Sequence, residues 1–333
     1  MTAALPDPGS LALWRQPPIP VAVLTGFLGS GKTTLIRSLL RDPAFEGTAV
    51  VVNEFGEVGL DHLLVEAAEK EDTILLEGGC LCCATRGDLV RALRSLLDRR
   101  ERAELPAYRR VIVETSGLAD PAPILQTLLS DPLRLSRYRF ARLTATVDGM
   151  LGAETLQRYG EANRQVALAD GVIITKSDLA DEAQLTAARA AVRTLCAAPI
   201  VSGASGQGVG PELFRNSAES IGPGDSGTHH AHGAYFTMTR SLGQALAWPR
   251  VEAWLAKVVD QCGADLLRLK AILAIEGEVA PVALHAVQHV IHRPERLPAW
   301  PDGMTQGRIV IVGRGRDPAR VDRLLADLLD GSR

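Results

Sequence analysis

The segment from Gly26 to Thr33 constrains the fold of this chain more than any other. It reads G-F-L-G-S-G-K-T and matches the pattern GxxxxGK[ST], in which a glycine-rich loop joins a strand to a helix and surrounds a phosphate with backbone N–H groups. An apolar run rich in β-branched residues precedes it at 19–25, and apolar residues at helical spacing follow it at 34–40. The sequence therefore predicts a strand, a phosphate-binding loop and a helix in that order.

The residue types in this loop fit the binding of a nucleotide. Glycines let the backbone approach a phosphate without a Cβ in the way, and the following helix presents its positive N-terminal end to the same anion. Lys32 is expected to reach the β- and γ-phosphates and to act in catalysis, and the Thr33 hydroxyl is expected to bind Mg²⁺. The alternative is a glycine-rich turn that matches by accident. The predicted nucleotide-binding residues of this segment are Gly26, Gly29, Ser30, Gly31, Lys32, Thr33 and Thr34.

The composition narrows the class of protein. With 333 residues, the chain is long enough for two domains. A formal net charge of −3 gives no electrostatic footprint for nucleic acid or an anionic membrane. No apolar run approaches the roughly 18 residues of a membrane-spanning helix. Residues 1–18 lack the basic start and apolar stretch of a signal peptide, which predicts a disordered lead-in to a cytoplasmic protein.

Short β-rich runs alternate with amphipathic helical stretches between residues 19 and 202. Such alternation predicts an α/β fold, a P-loop NTPase domain with a mostly parallel sheet and helices on both faces. Ligands of these sheets bind at the carboxyl ends of the strands. The predicted strands are 21–25, 48–53, 74–77, 111–115, 143–147, 172–176 and 200–202, and the predicted helices include 87–100, 121–130 and 182–195.

A smaller second domain is predicted after a change in composition. Residues 203–233 are rich in Gly, Ser, Pro and His and are expected to form a flexible linker. Regular patterning resumes at 234–330, which predicts an α+β domain of ordinary size. Its predicted strands are 235–239, 271–275, 282–291 and 309–312, and its predicted helices are 251–262 and 318–329.

The segment T-K-S-D indicates which base the nucleotide carries. It ends an apolar strand and contains Thr175, Lys176 and Asp178. A carboxylate can accept two hydrogen bonds from the N1–H and N2–H₂ edge of guanine, and adenine offers no matching pair of donors. The stem of Lys176 can pack on the base plane. We therefore expect GTP; the alternative is a strand that runs into a charged helix start.

Two further segments are expected to face the phosphates. An apolar strand carries Glu114 and is followed by Gly117; we expect the carboxylate near Mg²⁺ and the glycine amide near the γ-phosphate. Residues 53–61 are expected to form a loop that γ-phosphate and Mg²⁺ order. In that loop Asp61 is a candidate for orienting water or for the outer Mg²⁺ shell, and Glu57 is a candidate metal ligand. The alternatives are an ordinary acidic strand end and solvated loop charges.

Three of the five cysteines lie within four positions, at Cys80, Cys82 and Cys83. Their thiolates are expected to converge on one metal ion, Zn²⁺ or a similar ion such as Co²⁺. Glu57, His62 or water is expected to complete the site. The alternatives are buried core cysteines and a redox pair, although C-x-C-C lacks the C-x-x-C spacing. The two other cysteines, predicted to pack in cores, are Cys196 and Cys262.

Two groups of histidines have less specific patterns. The first group lies at the end of the linker, where it either captures metal at low affinity or is exposed by accident. The second group is predicted to be structural on one strand, with His285 and His289 on one face and His292 on the other. The members of the first group are His229, His230 and His232.

Together these motifs resemble those of CobW-like GTPases, a P-loop family related to the nickel-delivery GTPases of hydrogenase and urease maturation. The segments 270–273 and 287–289 also resemble the second domain of that family, so that the resemblance covers about 19–315. It implies metal insertion or metal homeostasis, linked to cobalt for cobalamin synthesis, to zinc or to activation of a metalloenzyme. The matching segments are G-F-L-G-S-G-K-T-T at 26–34, N-E-F-G-E-V-G-L-D at 53–61, G-G-C-x-C-C at 78–83, E-T-S-G-L-A-D-P at 114–121 and T-K-S-D at 175–178.

The sequence therefore predicts a GTP hydrolase that acts as a metallochaperone for a client metalloprotein or metal-inserting enzyme. It is expected to use GTP, Mg²⁺ and Zn²⁺ or Co²⁺, with Lys32, Glu114 and Asp61 as catalytic candidates. No arginine or glutamine is evident at the phosphates, which predicts slow intrinsic hydrolysis. The alternatives are a GTP-dependent interaction protein that carries no metal and a P-loop kinase that acts on a small molecule.

Overall fold

The computed structural model describes residues 17–53, 74–76, 86–129, 137–203, 213, 230–232, 235–301, 304–315 and 318–329. Within these residues the chain forms two seven-stranded sheets, one after the other along the sequence. The predicted lead-in at 1–18 and the predicted linker at 203–233 lie mostly outside the described residues. The domain boundaries at these positions therefore stay predictions.

The first sheet is parallel throughout its described strands, in the order β3-β2-β4-β1-β5-β6-β7. This order places β1 between β4 and β5, and it confirms the predicted α/β fold. The strands are β1 (Ile19–Gly26), β2 (Thr48–Asn53), β3 (Ile74–Leu76), β4 (Arg110–Thr115), β5 (Tyr138–Asp148), β6 (Gly171–Thr175) and β7 (Ile200–Ser202). The helices are α1 (Lys32–Leu40), α2 (Arg86–Glu101), α3 (Ala122–Leu128), α4 (Gly152–Arg158), α5 (Gly160–Leu168) and α6 (Glu182–Arg193), with a short 3₁₀ turn at Pro43–Phe45.

Helices cover both faces of this sheet because successive side chains of a strand point to opposite faces. In β1, Val23 packs in one core with Leu93 of α2. Its neighbour Leu24 packs in another core with Leu35 of α1. Each fully buried side chain of this kind contributes about 1.5–3 kcal/mol. The strand that leads into the phosphate loop is thus fixed from both sides.

The second sheet is antiparallel, in the order β12-β11-β10-β14-β9-β8 with β13 paired to β11. One face packs on two helices, where Leu269 and Ala271 share a core with Trp254 and Leu325. The strands are β8 (His230–His232), β9 (Tyr235–Leu242), β10 (Leu266–Leu273), β11 (Val282–Val287), β12 (Val290–Ile291), β13 (Glu295–Arg296) and β14 (Gly307–Arg314). The helices are α7 (Trp248–Cys262) and α8 (Pro318–Leu329), with a 3₁₀ turn at Gly263–Asp265.

The prediction of one strand at 282–291 is wrong. Gln288 has a φ of 53° and reverses the chain between β11 and β12, which pair with each other. The predicted faces of the three histidines are therefore wrong as well, because His289 lies in the turn and His285 lies in β11. His292 is buried, and its Nδ1 lies 3.2 Å from a main-chain carbonyl oxygen of the first domain.

Other element bounds also differ from the sequence patterns. The strand predicted at 271–275 is β10, which begins five residues earlier, at Leu266. The segment 230–232, expected in a flexible linker, pairs with β9. The patterns do not indicate α4 and α5, which lie between β5 and β6. In the described part of the chain, no helix combines the length and the apolar character needed to cross a membrane.

The C-terminal domain contacts the first domain through an apolar region and a charged cluster. Leu267, Val287 and Val312 share the core that contains Leu125 and Leu168 of the first domain. The shared core extends over α3 and α5, so the second sheet packs on these two helices of the first domain.

The charged cluster is centred on Asp170, which is 2% exposed and lies directly before β6. Its carboxylate forms ion pairs with Arg268, at 3.1 Å, and with Lys270, while Arg142 donates to its main-chain oxygen at 2.8 Å. Burial lowers the pKa of Arg268 to about 9 and lowers the pKa of Lys270 well below its ordinary value. Asp170 therefore offsets positive charge that the protein interior disfavours.

Candidate nucleotide site

The predicted phosphate loop joins the end of β1 to the start of α1, and its glycines are required by the backbone. The φ angles are 149° at Gly26, 70° at Gly29 and 85° at Gly31, values that L side chains rarely adopt. A Cβ on Gly26 would lie 2.1 Å from Thr146 Oγ1 of β5. The glycine pattern read in the sequence thus has a direct steric cause.

Lys32 and the N-terminus of α1 bring positive charge to the loop. The Lys32 ammonium donates to the main-chain oxygens of Gly26, at 2.9 Å, and Phe27, at 3.2 Å. Gly31 precedes the helix and has no side chain that could cap it, so the N–H groups of the first turn are suited to bind an anion. The loop, the lysine and the helix end together fit a phosphate group.

Thr33 and Glu114 lie next to each other across β1 and β4. The parallel register pairs Leu24 with Glu114, which brings the acidic strand end to the start of α1. The Thr33 hydroxyl donates to Glu114 Oε1 at 2.7 Å, and Glu114 is 4% exposed. Oxygen donors of this kind are the ligands that Mg²⁺ prefers. The residues present therefore fit this ion.

Residues 116–120, directly after β4, form the turn that is predicted to face the γ-phosphate (the γ-phosphate turn), and this turn packs closely on the phosphate loop. A Cβ on Gly117 would lie 2.8 Å from Leu28 N and 2.9 Å from Leu28 Cα. These are backbone atoms that cannot easily move away, so glycine is needed for the approach of the two segments. Ala119 N donates to Ser116 O at 3.1 Å and closes the turn.

Two side chains of α5 that the sequence patterns do not indicate hold the γ-phosphate turn. Gln165 is fully buried, and its Nε2 donates to Gly117 O at 3.0 Å and to Ala119 O at 3.1 Å. Arg164 Nε lies 2.9 Å from Asp120 Oδ2 in an ion pair. Gln165 directly follows Asn163 and Arg164 in this helix, so no local signal in the sequence distinguishes it.

The T-K-S-D segment is attached to the phosphate loop. Thr175, at the end of β6, donates its hydroxyl to Ser30 O at 2.8 Å. Lys176 has a φ of 53° and donates to Asp148 Oδ2 at 2.5 Å; the sequence patterns do not indicate Asp148. Asp178 is exposed at a cavity of about 230 Å³. Residues that line this cavity include Gly31, Thr34, Leu35, Thr175, Lys176 and Asp178.

Part of the predicted site lies outside the described residues, and the roles of that part stay predictions. Among the residues that the structure does describe, no group of three or more His, Cys, Asp and Glu side chains could hold a metal ion. The predicted site residues outside the described ranges are Glu57, Asp61, His62, Cys80, Cys82, Cys83 and His229.

The two cysteines outside the cluster pack in cores, as predicted. Cys196 is 3% exposed and lies in a core with Val192 and Leu195. Cys262 is 6% exposed and lies in the core of the C-terminal domain. Burial raises the pKa of the Cys196 thiol to about 11 and also raises the pKa of the Cys262 thiol. Both thiols are thus protonated near neutral pH.

A glycine-rich loop between β1 and α1, with a lysine, a threonine and an acidic strand end beside it, defines a P-loop nucleotide-binding protein. Two family models match the chain. Residues 20–202 match the CobW/HypB/UreG nucleotide-binding domain, and residues 237–329 match the cobalamin synthesis protein cobW C-terminal domain. The chain therefore belongs to the CobW/HypB/UreG family.

Individual relatives agree with this membership. The zinc chaperone YjiA of Escherichia coli (strain K12) is 32% identical over 304 residues, which cover 89% of this chain and 94% of the relative. The zinc chaperone CobW of Sinorhizobium sp is 28% identical over 339 residues, which cover 90% and 94%. The crystal structure of Zn(II)-bound YjiA GTPase from E. coli has a TM-score of 0.66 at 24% identity and covers 94% of this chain and 99% of that chain. The predicted CobW-like family and GTPase class are confirmed.

Proposed function

We propose that the protein is a cytoplasmic GTP hydrolase that carries Zn²⁺ or Co²⁺ to a client metalloprotein or metal-inserting enzyme. The cysteine cluster Cys80, Cys82 and Cys83 is the proposed metal site, with Glu57 as a further ligand. Relatives that are named zinc chaperones support a metal cargo, with zinc as the first candidate.

One hydrogen bond carries the nucleotide part of this proposal. Because Thr175 Oγ1 donates to Ser30 O at 2.8 Å, the T-K-S-D segment and the phosphate loop form one site. Asp178 and Thr34 line the same cavity, so a base attached to phosphates in the loop comes within reach of the carboxylate. This arrangement supports GTP as the substrate and disfavours the small-molecule kinase, which is expected to prefer ATP.

The chemistry is assigned to residues at the phosphate loop. The Lys32 ammonium leaves the loop carbonyls and donates hydrogen bonds to the β- and γ-phosphates, whose negative charge it offsets. Thr33 and Glu114 hold Mg²⁺, which supplies further positive charge to these phosphates when bound. Gly117 donates its N–H toward the γ-phosphate, and Asp61 orients the attacking water.

Metal release is proposed to follow hydrolysis. The segments 53–61 and 114–120 begin at the ends of β2 and β4. β4 lies beside β1, the strand of the phosphate loop, and β2 lies on the other side of β4. Segments of this kind are ordered by a γ-phosphate and released when it leaves. Cys80 comes four residues after the end of β3 in the sequence, and β3 pairs with β2 in parallel. The nucleotide state can therefore act on the thiolate site through adjacent strand ends.

Two measurements on the anaerobically purified full chain test the proposal. Competition between GTP and ATP for hydrolysis is expected to favour GTP. Bound metal, counted by elemental mass spectrometry, is expected to fall from about one ion per chain to near zero in the double variant Cys82→Ala, Cys83→Ala, whereas the control Cys262→Ala keeps it. Metal that is absent from the wild-type protein after Zn²⁺ loading supports the GTP-dependent interaction protein. Preference for ATP with a phosphorylated product supports the kinase.

A further inference from the structure

Gln165 is a buried side chain whose amide is only half satisfied. It is fully buried, and both acceptors of its Nε2, Gly117 O and Ala119 O, are carbonyl oxygens. Only the amide nitrogen can donate to carbonyls, so the orientation of the amide is fixed. Its Oε1 has no hydrogen-bond partner among the residues that the structure describes.

Packing alone does not explain a glutamine at this position. A buried acceptor without a partner is destabilising. Such acceptors are rare in native proteins, and each one calls for a functional or structural explanation. Gln165 lines a cavity of about 140 Å³ between the phosphate loop and the helices α4 and α5, which is large enough to admit water. An apolar side chain of the same length would fill the site, but it would leave the carbonyl oxygens of Gly117 and Ala119 without this donor.

The two hydrogen bonds act on the γ-phosphate turn at one point. They hold the carbonyls on either side of Leu118, which is 54% exposed at the tip of the turn. The neighbouring Gly117 packs against the backbone of Leu28 in the phosphate loop. Because Gln165 fixes these carbonyls from within α5, it sets the position of the Gly117 peptide relative to the phosphate loop.

We propose that Gln165 is the positioning residue of the γ-phosphate turn and lets the protein distinguish GTP from GDP. It contacts only the backbone of the turn, so it acts through Gly117 rather than on the phosphate. A GDP molecule lacks the group that Gly117 faces, and its binding is therefore independent of where the turn lies. The proposal rests on the proposed role of Gly117 in sensing the γ-phosphate.

The test compares the affinities of the full chain for GDP and for a non-hydrolysable GTP analogue in the presence of Mg²⁺. The variant Gln165→Met keeps the length of the side chain and removes both donors. We expect the preference for the triphosphate to fall about tenfold, the loss that two hydrogen bonds of ordinary strength imply, with GDP affinity changed less than about twofold. Arg164→Gln, which removes the ion pair to Asp120, is a second variant; it is expected to change the preference in the same direction by about two- to threefold.

Gln126→Met is the matched control. Gln126 is 4% exposed, and its Nε2 donates to Val287 O and Gln288 Oε1, both at 3.2 Å, so this variant also loses two buried hydrogen bonds without touching the turn. Thermal unfolding without nucleotide reports the loss of stability in both variants. The inference is overturned if Gln165→Met keeps the wild-type preference for the triphosphate over GDP. It is also overturned if Gln126→Met loses as much of that preference as Gln165→Met does. A wild-type protein with no preference for the triphosphate refutes the role of Gly117 itself.

Discussion

The proposed selection of guanine depends on Asp178. Asparagine at this position offers one donor and one acceptor in place of two acceptors, and xanthine carries a carbonyl where guanine carries its amino group. We expect Asp178→Asn to raise the ratio of XTP to GTP hydrolysis by at least about tenfold, measured by competition between the two nucleotides. Glu182→Gln removes a nearby exposed charge at the start of α6 and is expected to leave the ratio unchanged. An unchanged ratio in Asp178→Asn would argue against its contact with the base.

Because Cys196 and Cys262 are buried, thiol reagents are expected to report on the cysteine cluster alone. Thiolate is the reactive form, and a pKa of about 11 leaves little thiolate at Cys196 at pH 8. We expect alkylation of the native protein to leave both residues unmodified, so that no more than three of the five cysteines react. Added Zn²⁺ is expected to protect those three, which mass spectrometry of digested protein can measure. Rapid alkylation of either buried cysteine, or no protection by Zn²⁺, is the contrary result.

The γ-phosphate turn is an element whose position depends on one glycine. In Gly117→Ala, the Cβ meets the backbone of Leu28 at 2.8–2.9 Å, so the turn must move away from the phosphate loop. A misplacement of about 1 Å can lower the rate of an enzyme up to about a hundredfold. We expect kcat for GTP hydrolysis to fall at least about tenfold while GDP affinity stays within about threefold.

Gly160→Ala is the control for this substitution. Gly160 begins α5, and a Cβ there meets nothing within 4 Å among the described residues. Alanine is also the better helix former, so this variant is expected to keep both kcat and GDP affinity. If Gly117→Ala hydrolyses GTP at the wild-type rate, the turn does not take part in the reaction.

The elements that sequence reasoning could find are those whose signal is local. The phosphate loop, the acidic end of β4 and the T-K-S-D segment each lie where an apolar strand ends, so pattern and chemistry coincide within a few residues. The turn at Gln288 could not be found, since glutamine at a φ of 53° carries none of the usual turn signals. Gln165 could not be found either, because the carbonyl oxygens to which it donates lie 46 and 48 residues earlier in the chain.

The start of β10 could not be found from the sequence either, because it depends on a contact between the two domains. Arg268 and Lys270 look like exposed charges in the sequence, so the strand is predicted to begin only at 271. Both side chains are buried in the structure because they meet Asp170, about 100 residues earlier in the chain. A contact of this kind depends on the packing of the two domains and has no local signature.

Asp170 is predicted to hold the two domains together. Asp170→Asn leaves Arg268 and Lys270 buried without their carboxylate, and breaking a buried pair in this way is destabilising by about 3–5 kcal/mol. We expect urea unfolding to show a loss of this size. The control Glu154→Gln removes an exposed ion pair with Arg158 and is expected to cost less than about 0.5 kcal/mol. Equal stability of the two variants would mean that the cluster does not support the interface.

The proposed function joins a nucleotide site at one end of the sheet to a metal site in the cysteine cluster, so that GTP controls metal affinity. Such coupling requires that the nucleotide state changes the metal dissociation constant, typically by about 5- to 150-fold. Coupling is reciprocal, so a bound metal ion should change the affinity for GTP by the same factor.

The most direct test is the dissociation constant for Zn²⁺ of the full chain, measured against a competing chromophoric chelator. It is measured with Mg²⁺ and a non-hydrolysable GTP analogue, with Mg²⁺ and GDP, and without nucleotide. We expect the constants with the GTP analogue and with GDP to differ at least about fivefold, and tight binding to be lost in Cys82→Ala. Identical Zn²⁺ affinities in all three conditions would contradict the proposal that the nucleotide controls the metal site.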